Sequence, residues 1–181
     1  TDKTGTLTKG CLEVVELLDG NGQRFGNEIE LLKYPKYQEI VKTNIVYNND
    51  SKKESGKIIG GNITDRALLS FINTPIENNL KVIKKVPFDS SKKYSLTMID
   101  NDGKINLIKG APEKILPFCT MFYDTDGKKK PLKNKERLEK YLKDMTRRGI
   151  RVIALATMDP YREEFKNLSF VCLLSIKDDI R

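Results

Sequence analysis

The 181-residue chain contains no histidine. That absence removes Ser-His and Cys-His nucleophile pairs, imidazole general bases and His-ligated metals from its chemistry. Cysteine is scarce: Cys11, Cys119 and Cys172 are the only three, and none forms a CxxC pair. An odd, widely spaced set argues for a reducing compartment and against a disulfide framework or a zinc site. No stretch approaches the run of about 20 apolar residues that spans a bilayer. There is no internal repeat and no low-complexity linker. The polar, Thr-rich start lacks an initiator Met, so a piece of a longer or processed chain without a signal peptide is expected. What remains for chemistry is carboxylates, lysines, hydroxyls and backbone groups.

Hydrophobic residues make up 38% and charged residues 32%, the balance of a soluble globular chain rather than a disordered one. The length suits one domain with at most a short extra piece, and is enough to bury a core. The formal net charge is +8, but apart from Lys128–Lys130 the basic residues are dispersed among acids. A solvated basic surface is the favoured reading, and attraction of a polyanion is the sharper alternative.

Local patterns predict the elements. Cys11–Leu18 is apolar and partly β-branched, and ends at the turn signal Asp19-Gly20-Asn21-Gly22. Pro35–Val46 has near-helical apolar spacing at Tyr37, Ile40, Val41 and Ile45. Asn48–Lys57 is polar and predicted as a loop. Thr64 is the expected N-cap of a helix through Asp65–Ile72, with Asp65 in the first turn, where the helix dipole favours a carboxylate. Leu80–Phe88, Tyr94–Ile99 and Lys104–Lys109 are predicted strands, the last two joined by Asp100-Asn101-Asp102-Gly103 as a hairpin. Pro112 opens a helix expected to run to about Cys119. Lys135–Arg148 is a charged helix stopped by Gly149. Ile150–Thr157 and Leu168–Ile176 are apolar strands. Strands mostly follow one another, which predicts an α+β fold: a mainly antiparallel sheet flanked by helices, not a doubly wound parallel sheet.

Three strings carry chemistry most directly. In Asp2-Lys3-Thr4-Gly5-Thr6-Leu7-Thr8 an aspartate can attack a phosphoryl group and hold it as a mixed anhydride, provided a cation offsets the oxygens. Thr4, Gly5 and Thr6 supply short hydroxyl and backbone donors. Alone, a Thr-rich heptad is a frayed terminus. In Pro87-Phe88-Asp89-Ser90-Ser91-Lys92-Lys93-Tyr94-Ser95 a phenyl ring offers a stacking surface for a purine, and a nearby ammonium can meet phosphates. Alone, Phe88 is better read as a core residue at a strand end. In Lys109-Gly110-Ala111-Pro112-Glu113, Gly110 permits close backbone approach to a ligand, and Lys109 ends an apolar strand. The plain alternative is a strand-to-helix turn with an exposed lysine. Two weaker strings are Gly61-Asn62-Ile63-Thr64-Asp65-Arg66-Ala67-Leu68-Leu69 and Gly149-Ile150-Arg151-Val152-Ile153-Ala154.

Taken in order along the chain, these strings resemble the P-type ATPases, a branch of the haloacid-dehalogenase-like phosphotransferases. The resemblance covers nearly the whole chain. It implies that Asp2 is the phosphorylated carboxylate, that Asp2 and the carbonyl of Thr4 contact Mg²⁺, and that the Thr6 hydroxyl contacts the phosphate. Related phosphatases carry a second aspartate where Thr4 stands, so a long-lived aspartyl phosphate is implied. The resemblance further implies that Phe88 stacks on adenine, with Lys93 and Lys109 lining the pocket, Ser90 as a polar contact and Gly110 as the close-approach residue. Asp65 takes the place of the usual Glu that meets the adenine amino group. Arg151 meets the phosphates, and Ile153 packs near the base. At Ser175–Arg181 many members read Asp-Pro-Pro-Arg, whereas this chain reads Asp178-Asp179-Ile180-Arg181, so the stiffness that prolines lend a hinge is reduced.

The implied organisation is the start of a phosphorylation domain and a hinge at 1–10, a nucleotide-binding domain at 11–174 and a return hinge at 175–181. The implied ligands are ATP and Mg²⁺, and the implied partners are the phosphorylation, actuator and transmembrane domains of the same pump, at the cytoplasmic face of a membrane. The chain alone is expected to be a monomer that binds ATP without turning it over. KGAPE and the Phe88-to-Lys93 segment resemble the calcium and sodium/potassium pump branch; the absent histidine disfavours the heavy-metal branch. The alternatives are a basic nucleic-acid-binding module, which needs cations and aromatics gathered along a groove, and a free-standing phosphatase.

Overall fold

β1 (Cys11–Leu18) and β11 (Leu168–Asp179), the first and last strands, are antiparallel neighbours near one end of the sheet, with Cys11 opposite Asp179 and Leu18 opposite Leu173. The computed structural model describes residues 11–179. The Asp2–Thr8 string, with Asp2 and Thr4, and the last two hinge residues lie outside them. Between β1 and β11 come β2 (Arg24–Phe25), α1 (Glu28–Leu31), α2 (Pro35–Tyr47), β3 (Ser51–Glu54), β4 (Lys57–Gly60), α3 (Ile63–Ser70) and β5 (Lys81–Asp89). Then follow β6 (Tyr94–Asp100), β7 (Lys104–Gly110), α4 (Pro112–Ile115), β8 (Cys119–Tyr123), β9 (Lys129–Pro131), α5 (Lys135–Arg147) and β10 (Arg151–Met158).

The main sheet runs β2-β1-β11-β10-β7-β6-β5, all antiparallel. β8 adds the one parallel pairing among the described residues, against the start of β11, and β9 pairs with β8. The α+β expectation is met. β10 and β11 read as nearly unbroken apolar runs because both of their faces are covered. Leu155, Val171 and Leu174 face a core built with α2 and α3, through Tyr37, Val41, Ile45, Leu68 and Leu69. Ala154, Ala156, Phe170 and Leu173 face the opposite core, closed by Leu138, Tyr141 and Met145 of α5. Successive strand residues thus serve different cores, as the two-residue period of a strand requires, except at the β10–β11 bulge, where Val171 and Cys172 share one core.

Several predicted boundaries move, each for a local reason. The segment expected as a loop from Asn48 to Lys57 contains the β3–β4 hairpin, turned by Ser55 (φ 51°) and Gly56 (φ 78°). Both central residues take the left-handed conformation that a tight two-residue hairpin demands. The N-cap of α3 is Asn62, not Thr64: the Asp65 amide donates to Asn62 Oδ1 at 2.7 Å. The helix therefore begins two residues earlier than the hydroxyl suggested, and Asp65 sits at its third position. The helix opened by Pro112 ends at Ile115, passes into a 3₁₀ turn over Leu116–Phe118, and Cys119 already begins β8. Pro117 has no amide to continue the α-helical ladder.

α5 ends as predicted. Gly149 has φ 71°, its amide donates to Thr146 O at 3.0 Å, and the Ile150 amide donates to Met145 O at 2.9 Å. This paired arrangement is the Schellman stop, and it turns the chain directly into Arg151 at the head of β10.

Candidate functional site

α2 and α3 cover only part of their face of the sheet. α2 stops at Tyr47 and α3 starts at Ile63, so the ends of both helices border bare strand surface on β5, β6 and β7. The result is a cavity of about 310 Å³, within the usual range of small-molecule sites, about 300–1,000 Å³. The register explains the lining. Ser95 lies opposite Lys109, Thr97 opposite Leu107, and Leu155 opposite Lys109, so these residues share one face.

The cavity has three parts. Val86, Pro87, Phe88 and Ile153 form an apolar wall. Phe88 is 58% exposed, an unusual position for a phenyl ring, so it is not the core residue that its strand-end location would suggest. Asn48, Ser95 and Thr97 make a buried polar floor. Asp65 and Lys109 face each other across it, with Lys109 Nζ 2.6 Å from Asp65 Oδ1 and side chains only 6% and 12% exposed.

Asp65 is held from its own side as well. The Asp50 amide donates to Asp65 Oδ2 at 3.1 Å, and Asn49 Nδ2 donates to the Asp65 carbonyl at 3.0 Å. Lys109 Nζ also donates to the Asn48 carbonyl at 2.5 Å. A buried pair of this kind is sustained by such additional hydrogen bonds, because the attraction alone barely offsets desolvation. Arg151 lies at the exposed rim, where its Nη1 donates to Thr64 Oγ1 at 2.9 Å. Among the described residues no carboxylate pairs with it within 4.0 Å, so its charge is available to an anion. Lys85, by contrast, lies 3.8 Å from Asp50 at the surface.

Of the residues singled out in the sequence, Asp65, Phe88, Lys109, Gly110, Arg151 and Ile153 all line this one cavity. Ser90 and Lys93 do not. They belong to the exposed β5–β6 turn, which Asp89 caps by accepting from the Ser91 hydroxyl at 2.6 Å and from the Ser91 and Lys92 amides at 2.7 and 3.2 Å. Those bonds, the hydroxyl's first, hold the Asp89 carboxyl below its ordinary value. Lys93 has φ 62°, and its carbonyl accepts from the Ala111 amide at 3.0 Å, which stitches the turn to the KGAPE segment.

Gly110 has a structural reason to be glycine. A Cβ there would meet the Lys93 carbonyl at 2.3 Å and Tyr94 Cα at 2.7 Å. The backbone that approaches it most closely is that of Lys93 and Tyr94, where the turn enters β6. Asn48, Thr64, Ser95 and Thr97 line the cavity without having been singled out as ligands. One signal for the last two was present: hydroxyls two apart on one face of an otherwise buried strand. Among the described residues no group of three or more Asp, Glu or Cys side chains is arranged to hold a metal ion, and no helix is long and apolar enough to cross a membrane.

Comparison with known proteins agrees with this geometry. Residues 36–181 match the family described as P-type ATPase, cytoplasmic domain N. Calcium-transporting ATPase PAT1 of Dictyostelium discoideum is 30% identical over 209 residues, covering 100% of this chain and 18% of that protein. Calcium-transporting ATPase 1 of Yarrowia lipolytica is 31% identical over 191 residues, covering 91% of this chain and 20% of its own length. Calcium-transporting ATPase 1 of Saccharomyces cerevisiae is 29% identical over 214 residues, covering 100% and 22%. The chain thus spans about a fifth of the length of these relatives.

Proposed function

The chain belongs to the P-type ATPase cytoplasmic domain N family, and from that premise we propose that its cavity binds ATP on behalf of a cation pump. The observation that supports this reading is convergence. Asp65, Phe88, Lys109, Gly110 and Arg151 come from four separate sequence segments, and all line one cavity. In the proposed complex, adenine stacks on the exposed Phe88 ring against the apolar wall. Lys109 donates into the pocket, and Asp65, paired with it, faces the base from the same side. Arg151 at the rim neutralises phosphate charge. Lys93 and Ser90 act from the neighbouring turn once nucleotide is bound.

In the parent pump, the γ-phosphoryl group passes to the Asp2 carboxylate. The bond between the β,γ-bridging oxygen and γ-phosphorus breaks, a carboxylate oxygen bonds to phosphorus, and ADP leaves. Mg²⁺, which supplies charge neutralisation on the phosphoryl oxygens, is proposed to be held by Asp2 and Thr4 together with later residues of the pump. Calcium is the proposed cargo, since the relatives above are named for calcium transport. The site of action is the cytoplasmic face of the membrane that holds the pump.

The test is an ATP titration of the chain followed by amide chemical shifts. Saturable shifts are expected around β5–β7 and Arg151. Phe88→Ala removes a ring that is already largely exposed, so it leaves the fold intact. It is expected to weaken binding by the worth of one base–aromatic stack, about 1–3 kcal/mol. Absence of saturable shifts, or binding unchanged in Phe88→Ala and Lys109→Gln alike, sinks the proposal. Tighter binding of duplex DNA with a steep salt dependence would favour the nucleic-acid reading instead.

A further inference from the structure

Lys109 carries its charge on four methylenes, so its ammonium is placed only by its acceptors. Two are visible: Asp65 Oδ1 and the main-chain carbonyl of Asn48. Asp65 is fixed by the start of α3. Asn48 is fixed differently. It caps the C-terminal end of α2, and the residue is only 4% exposed. Its side-chain amide is bound on every side by the strands beneath. Nδ2 donates to the Leu107 carbonyl at 3.1 Å and the Ser95 carbonyl at 3.4 Å. Oδ1 accepts from Thr97 Oγ1 at 2.9 Å and Ser95 Oγ at 3.3 Å.

Residue 48 therefore ties the end of α2 to β6 and β7, and its own carbonyl then receives the ammonium of a β7 lysine. The carbonyls at a helix C-terminus also carry partial negative charge, which suits a cation. An ammonium has three donors. Two are engaged by Asp65 and Asn48, which leaves the third to turn into the cavity.

We infer that Asn48 is the positioning residue for Lys109: its anchored amide fixes the carbonyl that aims the ammonium at bound nucleotide. It lines the cavity floor, but in this role it acts through Lys109. The inference rests on the ATP-binding reading above and is separable from it.

The decisive experiment is a double-mutant cycle on the full 181-residue chain, with ATP affinity read by amide shifts or calorimetry and folding checked by thermal melts. Asn48→Ala is expected to weaken ATP binding about tenfold in the Lys109 background and to have no further effect in Lys109→Gln, because coupled neighbours are non-additive. A residue that merely supports the fold would weaken both backgrounds by the same factor. Thr97→Val removes one donor to Asn48 Oδ1 while keeping shape. It provides the milder variant should Asn48→Ala fail to fold, and a roughly threefold weakening is expected, again only when Lys109 is present. Equal factors in both backgrounds, or unchanged affinity in folded Thr97→Val and Asn48→Ala, overturn the inference and leave the ATP site standing. Wild-type chain that binds no ATP, or Lys109→Gln that binds as well as wild type, overturns the reading of the site itself.

Discussion

Glu28 is a carboxylate with almost no exposure, yet every part of it is in use. Oε1 accepts from the Asn73 and Thr74 amides at 2.6 and 2.9 Å, and Oε2 accepts from Thr74 Oγ1 at 2.6 Å and Gln38 Nε2 at 2.8 Å. Burial alone pushes its pKa up, but the Thr74 hydroxyl, the Asn73 amide and Gln38 together outweigh it and hold the carboxyl below the ordinary 4.5. The sign follows from linkage: a group whose folded pKa is depressed contributes stability that is complete above its unfolded pKa and lost as pH falls through the folded value. Melting temperature should therefore drop as pH is lowered below about 4.5. Glu28→Ala should lose that part of the pH dependence and cost about 2–4 kcal/mol at neutral pH, since four donors lose a charged acceptor. Thermal melts of both proteins across acidic pH check it. Nothing in the sequence around Glu28 announced this role, because its partners at Asn73 and Thr74 are remote in the chain. Asn48 was hidden for a different reason. It sits in a run of polar residues that reads as loop, and only the register of β6 against β7 shows which asparagine faces the strands. That Phe88 and Lys109 line the cavity was legible only through the resemblance of their segments to a known family, since read alone the phenyl ring looked like a core residue and the lysine like part of an exposed turn.

Elements were easiest to read where apolar residues run together. β1, β5–β7, β10 and β11 declared themselves as strands, α2 through its apolar spacing and α5 as a charged helix stopped by Gly149. β3 and β4 did not. Their residues, Ser51–Glu54 and Lys57–Gly60, bury little, so no alternation marks them, and what joins them is a backbone ladder closed by the Ser55-Gly56 turn. β8 escaped because the helix opened by Pro112 was expected to run to about Cys119, the residue at which the strand begins. The α5 stop shows how a backbone device serves the site. A side chain at 149 would have open space around it, with no atom within 4 Å, so the only obstacle to substitution is its left-handed φ. Gly149→Ala should cost about 1–2 kcal/mol, the penalty of a Cβ in that conformation. Because Arg151 follows two residues later, ATP affinity should fall in the same variant by several-fold, and melts with calorimetry separate the two effects.

At the scale of the whole molecule, the two cores on opposite faces of one sheet set a hierarchy of stability. β10 and β11 are covered on both sides and paired along both edges, so their amides open only with global unfolding. The β3–β4 hairpin forms a separate two-stranded sheet with little burial. Native-state hydrogen exchange should therefore give the slowest amides in Ala154–Ala156 and Val171–Leu174 and the fastest strand amides in Lys52–Ile59. Slow exchange in β3 or β4 matching that of β11 would contradict the two-core account. β5 is the last strand of the main path, and its lysines Lys81, Lys84 and Lys85 blunt an edge that would otherwise recruit another chain. That role accounts for part of the net positive charge without any polyanion.

The pairing of Cys11 with Asp179 has a mechanical side. The ladder between β1 and β11 lies across the direction in which these two residues would separate, because antiparallel hydrogen bonds run perpendicular to their strands. Pulling residues 11 and 179 apart would load those bonds one after another, like a zipper opened from its free end. Drawing both residues the same way along the strands would instead carry the sheet bodily, with no bond in the ladder strained ahead of the rest. A body held at these two residues would yield to forces that spread them and follow forces that move them together.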